Sequence, residues 1–577
     1  MRNFSAKTSS RKVPLVRPGG DLVTGVKSSM NLQLDDLERH AVDKTRHRLG
    51  LALFVFAVMF ASLAGRLVHL NAQSDAVDSG GGLSAFTTPQ QRPLITDRHG
   101  TLLVTHIDAY TLGARPQMID NAEEVTAALT GIFPQLNHRR TGRLLASNSR
   151  YVDLNRGVTP RQYQDVLMIG NPGLVLTPSK KRVYPHGPAA AHILGFVSSD
   201  WRGLAGLERA MDMDVPVPDD EGKVVTTIDL SVQHAVRAEL QKGVETFGAI
   251  GGGAVIMDVR NGEVLALVSL PDFDPNHPVA TPQSHHFNRA TQGLYELGSV
   301  FKVFTAAMAL ETGAVKTEDT FQTSTPLQIG NRTVKDYHGQ SRPLTPREIV
   351  IYSSNIGSAQ LALAVPPQTH RQFFNSLGLL SQPYFELPET SMPQVPRRWS
   401  DIRRATISYG HGINVSLLQT VAAGAAMVNG GIYYEPRLIN DRPVSGQRVI
   451  SPQTSALLRD MMRAVVTQGT ASKADVAGYP VLGKTGTAEK IVAGAYDKDM
   501  NIASFMGAFP ADDPAYAFIV MLDEPKKVPG LAPRNTAGWN AVPVAARIVE
   551  RIAPLLDLMP SHMEDSLKLA TFTREAL

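Results

Sequence analysis

A serine and a lysine three residues apart could form the reactive pair of an acyl-transfer enzyme. Ser299-Val300-Phe301-Lys302 opens an apolar stretch that ends at Leu310. On a helix, residues i and i+3 share a face, so the Ser299 hydroxyl and the Lys302 amine would lie within reach of each other. A lysine held among apolar side chains has a lowered pKa, which lets it take the serine proton. Ser9 and Lys12 have the same spacing, so this motif alone predicts little.

Two further motifs follow at later positions of the chain. Ser353-Ser354-Asn355 comes after the apolar run Ile349-Val350-Ile351, and Lys484-Thr485-Gly486-Thr487 comes after both. Singly, the first is typical of a helix N-cap or a turn. The second fits a strand in which Gly486 lets a ligand approach the backbone closely. Ser-x-x-Lys, Ser-x-Asn and Lys-Thr-Gly together, in this order, are typical of the active site of penicillin-binding proteins and serine β-lactamases.

The region after residue 92 resembles a class B penicillin-binding protein over nearly its whole length. Sequence segments typical of that family are Asp97-Arg98-His99-Gly100, Arg182-Val183-Tyr184-Pro185, Ile193-Leu194-Gly195-Phe196, Gly206-Leu207-Glu208, Asn288-Arg289-Ala290 and Tyr295-Glu296-Leu297-Gly298. Tyr409-Gly410-His411-Gly412 is more similar to the division-specific FtsI type than to the elongation type, which tends to carry Gly-Gln-Gly there. The elongation type is the alternative. Pro93, after Arg92, departs from the glycine that the family commonly has.

The resemblance implies a peptidoglycan D,D-transpeptidase that is the target of β-lactams and needs no cofactor and no metal. Ser299 would then be the acylated nucleophile, with Lys302 as its general base. The other implied site residues are Ser353 as a proton relay, Asn355 holding the substrate amide, Lys484 complementing the terminal carboxylate, and Thr485, Gly486 and Thr487 lining the substrate. The backbone N–H groups of Ser299 and Thr487 would form the oxyanion hole. A stem peptide ending in D-Ala-D-Ala, with one carboxylate and one scissile amide, matches these groups.

The elements that must position these residues are typical of an α+β fold. Asn261-Gly262 between two apolar runs is a strong hairpin signal. The predicted strands are Val225–Asp229, Ala254–Val259, Glu263–Ser269, Ile502–Pro510 and Tyr516–Leu522, and helices are predicted over Leu230–Gly243 and Val542–Leu556. Because the hairpin comes early and the last strands late, with helices between, we expect a central antiparallel sheet flanked by helices. This transpeptidase domain, of the penicillin-binding and serine β-lactamase type, is assigned to residues 223–557, after an elongated pedestal of the dimerisation type over 93–222.

One segment is predicted to form a single transmembrane helix. Residues 49–65 are 17 residues without a charge, and the span 49–70 can cross about 30 Å of hydrocarbon. The tail 1–48 holds ten Lys/Arg against five acids, so the positive-inside rule puts it in the cytoplasm and the catalytic domain in the periplasm. A cleaved signal peptide is disfavoured because this charged lead is too long. A juxtamembrane linker over 71–92 and a C-terminal tail over 558–577 complete the predicted organisation.

The composition of the 577 residues excludes several other classes of protein. Lys and Arg number 57 and Asp and Glu 53, a balance that gives no sign of nucleic-acid binding. Cysteine is absent, which excludes disulfides, zinc–thiolate sites and a cysteine nucleophile. The 16 histidines show no spacing typical of a metal site.

Rival functions use some of the same residues. Gly478 to Thr485 fits the phosphate-loop pattern, and Asp523-Glu524 after an apolar run could bind a metal ion. A membrane-anchored P-loop NTPase is disfavoured because that loop needs a strand directly before it and a helix directly after it. An inactive peptidoglycan-binding protein stays open. A β-lactamase would need a further base to activate water, and the sequence offers none that can be assigned, since Glu296 fits a structural role before the Ser299 helix.

The sequence leaves no room for a glycosyltransferase domain, which argues against class A and implies partners. Cross-linking then needs glycan strands polymerised by another protein. An FtsW-type membrane glycosyltransferase is the implied partner, together with other divisome proteins, at the inner membrane of the division site. The span 49–70 and the pedestal are the expected contacts.

Overall fold

The computed structural model describes residues 54–64, 66, 92–213, 219, 221–440, 443–492 and 495–561. Residues 54–64 are helical. Within these described ranges, no helix is both long and apolar enough to cross a membrane. The predicted tail 1–48 and most of the predicted span 49–70 lie outside them. So do the predicted linker 71–92, except Arg92, and the predicted C-terminal tail 558–577 after residue 561. The chain divides into two units at residues 90 and 91, and the description below concerns the second.

The first part of that unit is a five-stranded sheet with helices packed on it. Its strands are β1 Leu94–Thr96, β2 Leu102–Ala114, β3 Val152–Val158, β4 Leu174–Val183 and β5 Lys223–Val225, and its helices are α1 Ala122–Ile132, α2 His138–Leu145 and α3 Pro160–Met168. The order is β3-β2-β1-β5, with β4 also paired to β2. Helix α3 begins where Thr159 and Gln162 form a capping box ahead of Pro160, which suits the first helical turn. Leu112, Val125 and Phe133 belong to the core of this part.

A buried carboxylate joins three segments at the base of this part. Glu208 lies on the short helix α5 Gly206–Met211, which follows α4 Ala191–Leu194, and its side chain is fully buried. Its carboxylate accepts hydrogen bonds of 2.7 Å from Arg182 Nε on β4 and 2.7 Å from Arg92 Nε. A buried charge is tolerated only when it is paired in this way. Glu208 therefore holds α5 against β4 and the chain at Arg92.

The second part contains nine strands and nine helices within the described residues. The strands are β6 Gly251–Asp258, β7 Val264–Leu270, β8 Leu327–Ile329, β9 Arg332–Val334, β10 Ile432–Tyr434, β11 Gly446–Arg448, β12 Leu482–Val492, β13 Ala495–Phe509 and β14 Tyr516–Asp523. The helices are α6 Leu230–Thr246, α7 Phe301–Glu311, α8 Pro346–Tyr352, α9 Asn355–Ala364, α10 Pro367–Ser376, α11 Asp401–Ile407, α12 Leu417–Val428, α13 Pro452–Gln468 and α14 Ala541–Ile552. Five of the strands form one antiparallel sheet in the order β12-β13-β14-β6-β7. The predicted antiparallel sheet, with an early hairpin and late strands, is confirmed.

Helices cover both faces of this sheet. A Cβ added at Gly252 of β6 would lie 3.2 Å from Leu240 on α6, whereas one added at Gly253 would lie 2.6 Å from Leu417 on α12. Successive strand residues point to opposite faces, so α6 and α12 lie on opposite sides of the sheet. Every residue of α12 is buried. The sheet is therefore the middle layer of a three-layer α+β domain.

The strand predicted over Val225–Asp229 is wrong beyond its first residue. Strand β5 ends at Val225, and Asp229 instead caps α6, where its carboxylate accepts from Ser231 N at 2.9 Å and Val232 N at 3.1 Å. An aspartate at that position satisfies the free N–H groups of a helix end. This local preference outweighs the strand propensity of the apolar residues before it.

Candidate active site

The predicted nucleophile lies on a turn that other backbones hold tightly. Ser299 is in the 3-10 turn Gly298–Val300, which leads directly into α7. Gly298 has φ of +57°, and a Cβ there would lie 2.8 Å from Thr487 O on β12. A Cβ at Gly410 would lie 2.2 Å from Gly298 O. Only glycine fits at such approaches, which fix Ser299 between strand β12 and the turn at Gly410.

Lys302, one turn into α7, is the centre of the site. Its side chain is 1% exposed, and Nζ lies 2.9 Å from Ser299 Oγ, 2.5 Å from Ser353 O and 2.7 Å from Asn355 Oδ1. Burial, and then the charge of Lys484, holds the pKa of Lys302 well below its usual range. A neutral amine keeps two N–H donors, which suit the two carbonyl oxygens, and a lone pair, which can accept the Ser299 proton.

The second motif reaches Lys302 because the chain bends sharply at Ser353. Ser353 ends α8 in the left-handed conformation, with φ of 59° and ψ of 43°. Its carbonyl and hydroxyl both turn towards Lys302 Nζ, with the hydroxyl at 3.1 Å. Ser354 then caps α9 by accepting from Gly357 N at 2.9 Å, and Asn355 is the first helical residue. The left-handed conformation costs a non-glycine residue about 1–2 kcal/mol, so other contacts must hold this bend.

Asp336 supplies those contacts, and the sequence analysis missed it. Its Oδ2 accepts a 2.6 Å hydrogen bond from the Ser354 hydroxyl. Its Oδ1 accepts from Asn355 N at 2.5 Å and Ile356 N at 2.9 Å, the free N–H groups at the start of α9. The charge of Asp336 also raises the pKa of Lys302 against the stronger lowering by burial. Asp336 lies on the loop after β9, and no spacing in the sequence links it to the motif.

The third motif lies within strand β12. Lys484 is fully buried, and its Nζ donates to Ser353 Oγ at 3.0 Å. Burial lowers the pKa of Lys484 to about 7. A Cβ at Gly486 would lie 2.1 Å from Leu297 O, so the strand lies directly against the nucleophile turn. The motif is part of a strand and not of a loop that enters a helix, so the P-loop hypothesis is wrong.

The hydroxyls of Thr485 and Thr487 flank this strand segment. Thr485 Oγ1 lies 2.7 Å from Thr470 Oγ1, and Thr487 Oγ1 accepts from Ala537 N at 3.1 Å. Through Ser353, the structure links Ser299, Lys302 and Lys484 into one chain of polar contacts. All eight sequence-predicted site residues therefore lie on the elements that meet at Ser299.

Glu296, the acidic residue nearest Ser299 in sequence, is engaged by the protein itself. Its carboxylate accepts from Gly412 N at 2.7 Å and lies 3.3 Å from the hydroxyl of Tyr496. Burial raises its pKa, while these two hydrogen bonds act in the opposite direction. The carboxylate thus ties the nucleophile turn to the turn at Gly412. This agrees with a structural role for Glu296.

A serine hydroxyl next to a buried lysine of lowered pKa, with a second buried lysine across the same polar chain, defines a serine acyl-transfer site. The chain matches the Penicillin binding protein transpeptidase domain family over residues 252–550 and the Penicillin-binding Protein dimerisation domain family over residues 87–213. It belongs to the penicillin-binding proteins, as the motifs predicted.

Similar proteins extend this assignment. The chain is 37% identical over 533 residues to a probable peptidoglycan D,D-transpeptidase FtsI of Caulobacter vibrioides, with 89% of each chain covered. It is 28% identical to the peptidoglycan D,D-transpeptidase FtsI of Escherichia coli K12, over 89% of this chain and 93% of that one. Among solved structures, it is similar to penicillin-binding protein 3 of Mycobacterium tuberculosis complexed with aztreonam. The TM-score is 0.65 at 26% identity, covering 82% of this chain and 98% of the other.

Proposed function

We propose that this chain is a peptidoglycan D,D-transpeptidase that cross-links stem peptides at the division septum through an acyl-Ser299 intermediate. The observation that carries the proposal is the 2.9 Å approach of the buried Lys302 Nζ to Ser299 Oγ. Burial lowers the pKa of Lys302, which favours the neutral amine that a general base must be. Its neighbours Ser353 and Asn355 keep it oriented.

The first half-reaction forms the acyl-enzyme. Lys302 takes the proton of Ser299 while Oγ forms a bond to the carbonyl carbon of the penultimate D-Ala. The amide C–N bond then breaks, and the departing D-Ala amine receives a proton through Ser353. Asn355 holds the substrate amide, and Lys484, Thr485 and Thr487 act on the terminal carboxylate, with Gly486 beside it. The N–H groups of Ser299 and Thr487 stabilise the oxyanion.

The second half-reaction consumes the acyl-enzyme. The amine of a second stem peptide attacks the ester carbon, the C–N bond of the cross-link forms, and the Ser299 C–O bond breaks. The proton lost by the amine returns to Ser299 by the reverse of the first path. Water must be kept from the ester for this step to dominate.

The test is intact-mass spectrometry of the region from residue 92 onwards after incubation with benzylpenicillin. We expect one covalent adduct, located on Ser299, that persists far longer than the time needed to form it. Ser299→Ala should give no adduct. Rapid, repeated turnover of benzylpenicillin would replace this proposal with a β-lactamase, and a wild-type protein without adduct would favour an inactive peptidoglycan-binding protein.

The division role is favoured over the elongation role. The turn Tyr409-Gly410-His411-Gly412 is similar to the FtsI type, and two of the relatives above carry the name FtsI. Depletion of the protein should therefore give filaments without septa. Rounded cells would point to the elongation type instead.

The proposed location is the inner membrane, crossed once by residues 49–70, with the N-terminus in the cytoplasm. The ten-to-five excess of basic over acidic residues before Leu49 supports this topology. A reporter that works only in the periplasm should be active when fused after Ala85. Activity of a cytoplasmic reporter at the same position would show the opposite topology, in which the catalytic domain could not reach peptidoglycan.

The proposed partner is an FtsW-type membrane glycosyltransferase within the divisome. The predicted pedestal over 93–222 is large and carries none of the proposed catalytic groups, which suits it for protein contacts. Exposed substitutions there should impair septation and leave acylation by benzylpenicillin intact. If septation and acylation were lost equally, the pedestal would serve only the folding of the protein and not contacts with a partner.

A further inference from the structure

We propose that Thr470 is a further specificity-determining residue, which orients the Thr485 hydroxyl towards the carboxylate of the substrate or of a β-lactam. The inference rests on the proposed transpeptidase function and extends it by one residue that none of the three motifs contains. Thr470 Oγ1 lies 2.7 Å from Thr485 Oγ1, and Thr470 is exposed at the edge of the site.

The N–H groups of the buried Lys484 already have partners within the protein. Lys484 Nζ donates to Ser353 Oγ at 3.0 Å, to Thr485 O at 3.2 Å and to Thr485 Oγ1 at 3.4 Å. These contacts compete with a ligand for the N–H groups of Lys484. Lys484 therefore acts on a carboxylate mainly through its charge, and the hydroxyls of Thr485 and Thr487 make the direct hydrogen bonds.

The hydrogen bonds already made by Thr485 decide what it can offer. Its oxygen accepts from Lys484, and one further bond joins it to Thr470. When Thr470 donates that bond, the hydrogen of Thr485 is free to point at a carboxylate. Hydrogen bonds in such a chain polarise one another, so the terminal donor is strengthened. Among the described residues, the Thr485 hydroxyl bonds to Lys484 and Thr470. Without the Thr470 hydroxyl, its O–H hydrogen would no longer be directed at a ligand.

A neighbouring threonine is oriented on the same principle. Thr487 Oγ1 accepts from Ala537 N at 3.1 Å, which leaves its own O–H free to donate. The site thus presents two threonine hydroxyls, each with its acceptor side occupied by a group of the protein. Two such O–H donors suit the two oxygens of one carboxylate.

Close backbone contacts on both sides of Thr470 hold its hydroxyl in position to orient Thr485. A Cβ at the preceding Gly469 would lie 2.9 Å from Ile351 O on α8, two residues before Ser353. A Cβ at Gly538 would lie 2.7 Å from Thr470 O. Thr470 is therefore held between the end of α8 and the 3-10 turn Ala537–Trp539, both of which border the site.

The experiment compares a ligand that carries the carboxylate with one that lacks the charge. The second-order rate constant for acylation of Ser299 is measured with benzylpenicillin and with its methyl ester. Thr470→Val, which keeps the shape and removes the hydroxyl, should slow acylation by benzylpenicillin about 3- to 10-fold, the range expected for one hydrogen bond. The rate with the ester should not change. Thr470→Ser should restore the wild-type rate with benzylpenicillin.

Thr467→Val is the matched control, since Thr467 is an exposed threonine on α13 whose hydroxyl bonds only to Arg463 O. It should leave both rates unchanged. An equal loss with acid and ester in Thr470→Val, or no loss with the acid, would overturn the proposal. Thr470→Ala, which also lacks the hydroxyl, decides the question if Thr470→Val does not fold. Absence of any Ser299 adduct in the wild type would refute the transpeptidase function itself, a result distinct from all of these.

Discussion

Asp336 accepts a 2.6 Å hydrogen bond from the hydroxyl of Ser354, the middle residue of the Ser-Ser-Asn motif. The same carboxylate accepts from the backbone N–H groups of Asn355 and Ile356. It therefore fixes the start of α9 and, one residue earlier, the left-handed bend that aims Ser353 at Lys302. A residue outside every motif thus sets the geometry around Lys302, the proposed general base.

Replacing Asp336 with Asn should slow acylation by benzylpenicillin about 10- to 100-fold, because hydrogen bonds to a charged group are each worth roughly 1.5–3 kcal/mol. The pH dependence should move as well. Asp336 raises the pKa of Lys302, so loss of its charge lowers that pKa further. If the neutral Lys302 amine is the base, as proposed, the acidic limb of the pH–rate profile should shift to lower pH.

Asp512→Asn, at an exposed position on the loop after β13, is the control for this change of charge. It should leave both the rate and the pH profile as in the wild type. An Asp336→Asn enzyme that is slower but has an unshifted acidic limb would show that Asp336 acts only through the geometry of the bend at Ser353 and not through its charge.

Lys302→Arg separates the role of a base from that of a fixed positive charge. Arginine stays protonated in proteins, so it can replace the charge but cannot accept the Ser299 proton. If Lys302 is the base, Lys302→Arg and Lys302→Ala should both lose about 10²–10⁴-fold in the acylation rate. Stopped-flow measurement of acylation checks this, and near-wild-type activity of Lys302→Arg would rule out general-base catalysis by this residue.

Glu348 gives a prediction on stability that is separate from catalysis. Its hydrogen bond with Arg342 is the main cause that lowers the pKa of Glu348 to about 2, from an ordinary value of 4.5. Because the folded-state pKa is depressed, the added stability is complete above pH 4.5 and is lost as the pH falls towards 2. Glu348→Gln keeps an acceptor for the capping box with Thr345. We expect it to cost about 1 kcal/mol at pH 7.

Urea unfolding of wild type and Glu348→Gln at pH 7 and at pH 3 measures that difference. It should be smaller at pH 3 than at pH 7. A difference that is the same at both pH values would mean that the carboxylate charge does not contribute.

Glu208→Ala should be far more damaging than its distance from Ser299 suggests. It leaves the Arg182 guanidinium buried without its carboxylate, and breaking a buried ion pair from one side costs about 3–5 kcal/mol. The free energy of unfolding in urea measures this loss. Arg156→Ala, which breaks the exposed pairs with Asp153 and Asp200, is the control and should cost less than about 1 kcal/mol.

The sequence predicted those parts of the site that follow from local spacing. The Ser299–Lys302 pair depends only on helical geometry, and the hairpin at Asn261-Gly262 depends only on turn chemistry, so both could be found without tertiary structure. The order of the three motifs was enough to predict one domain. Strand β5 ends at Val225 because Asp229 caps α6, a local preference that the apolar residues before it do not reveal.

Contacts between residues far apart in the chain could not be found in the same way. Asp336 lies 18 residues before Ser354, and Thr470 lies 15 residues before Thr485, on segments whose own sequences read as ordinary loops. The left-handed conformation of Ser353 cannot be predicted from the sequence either, because serine has no preference for it. These features depend on packing between elements that the sequence of either element does not encode alone.

The close backbone approaches at Gly298, Gly410 and Gly486 limit how such a protein can adapt under antibiotic selection. A single added methyl group at any of the three would collide with main-chain oxygen, which cannot move aside as a flexible side chain can. The turn that carries Ser299 and its neighbours therefore cannot accept a side chain at these three positions, even though β-lactams react there. Heritable change that discriminates drug from natural substrate must arise at the rim, where exposed side chains such as Thr470 can vary without displacing the main chain.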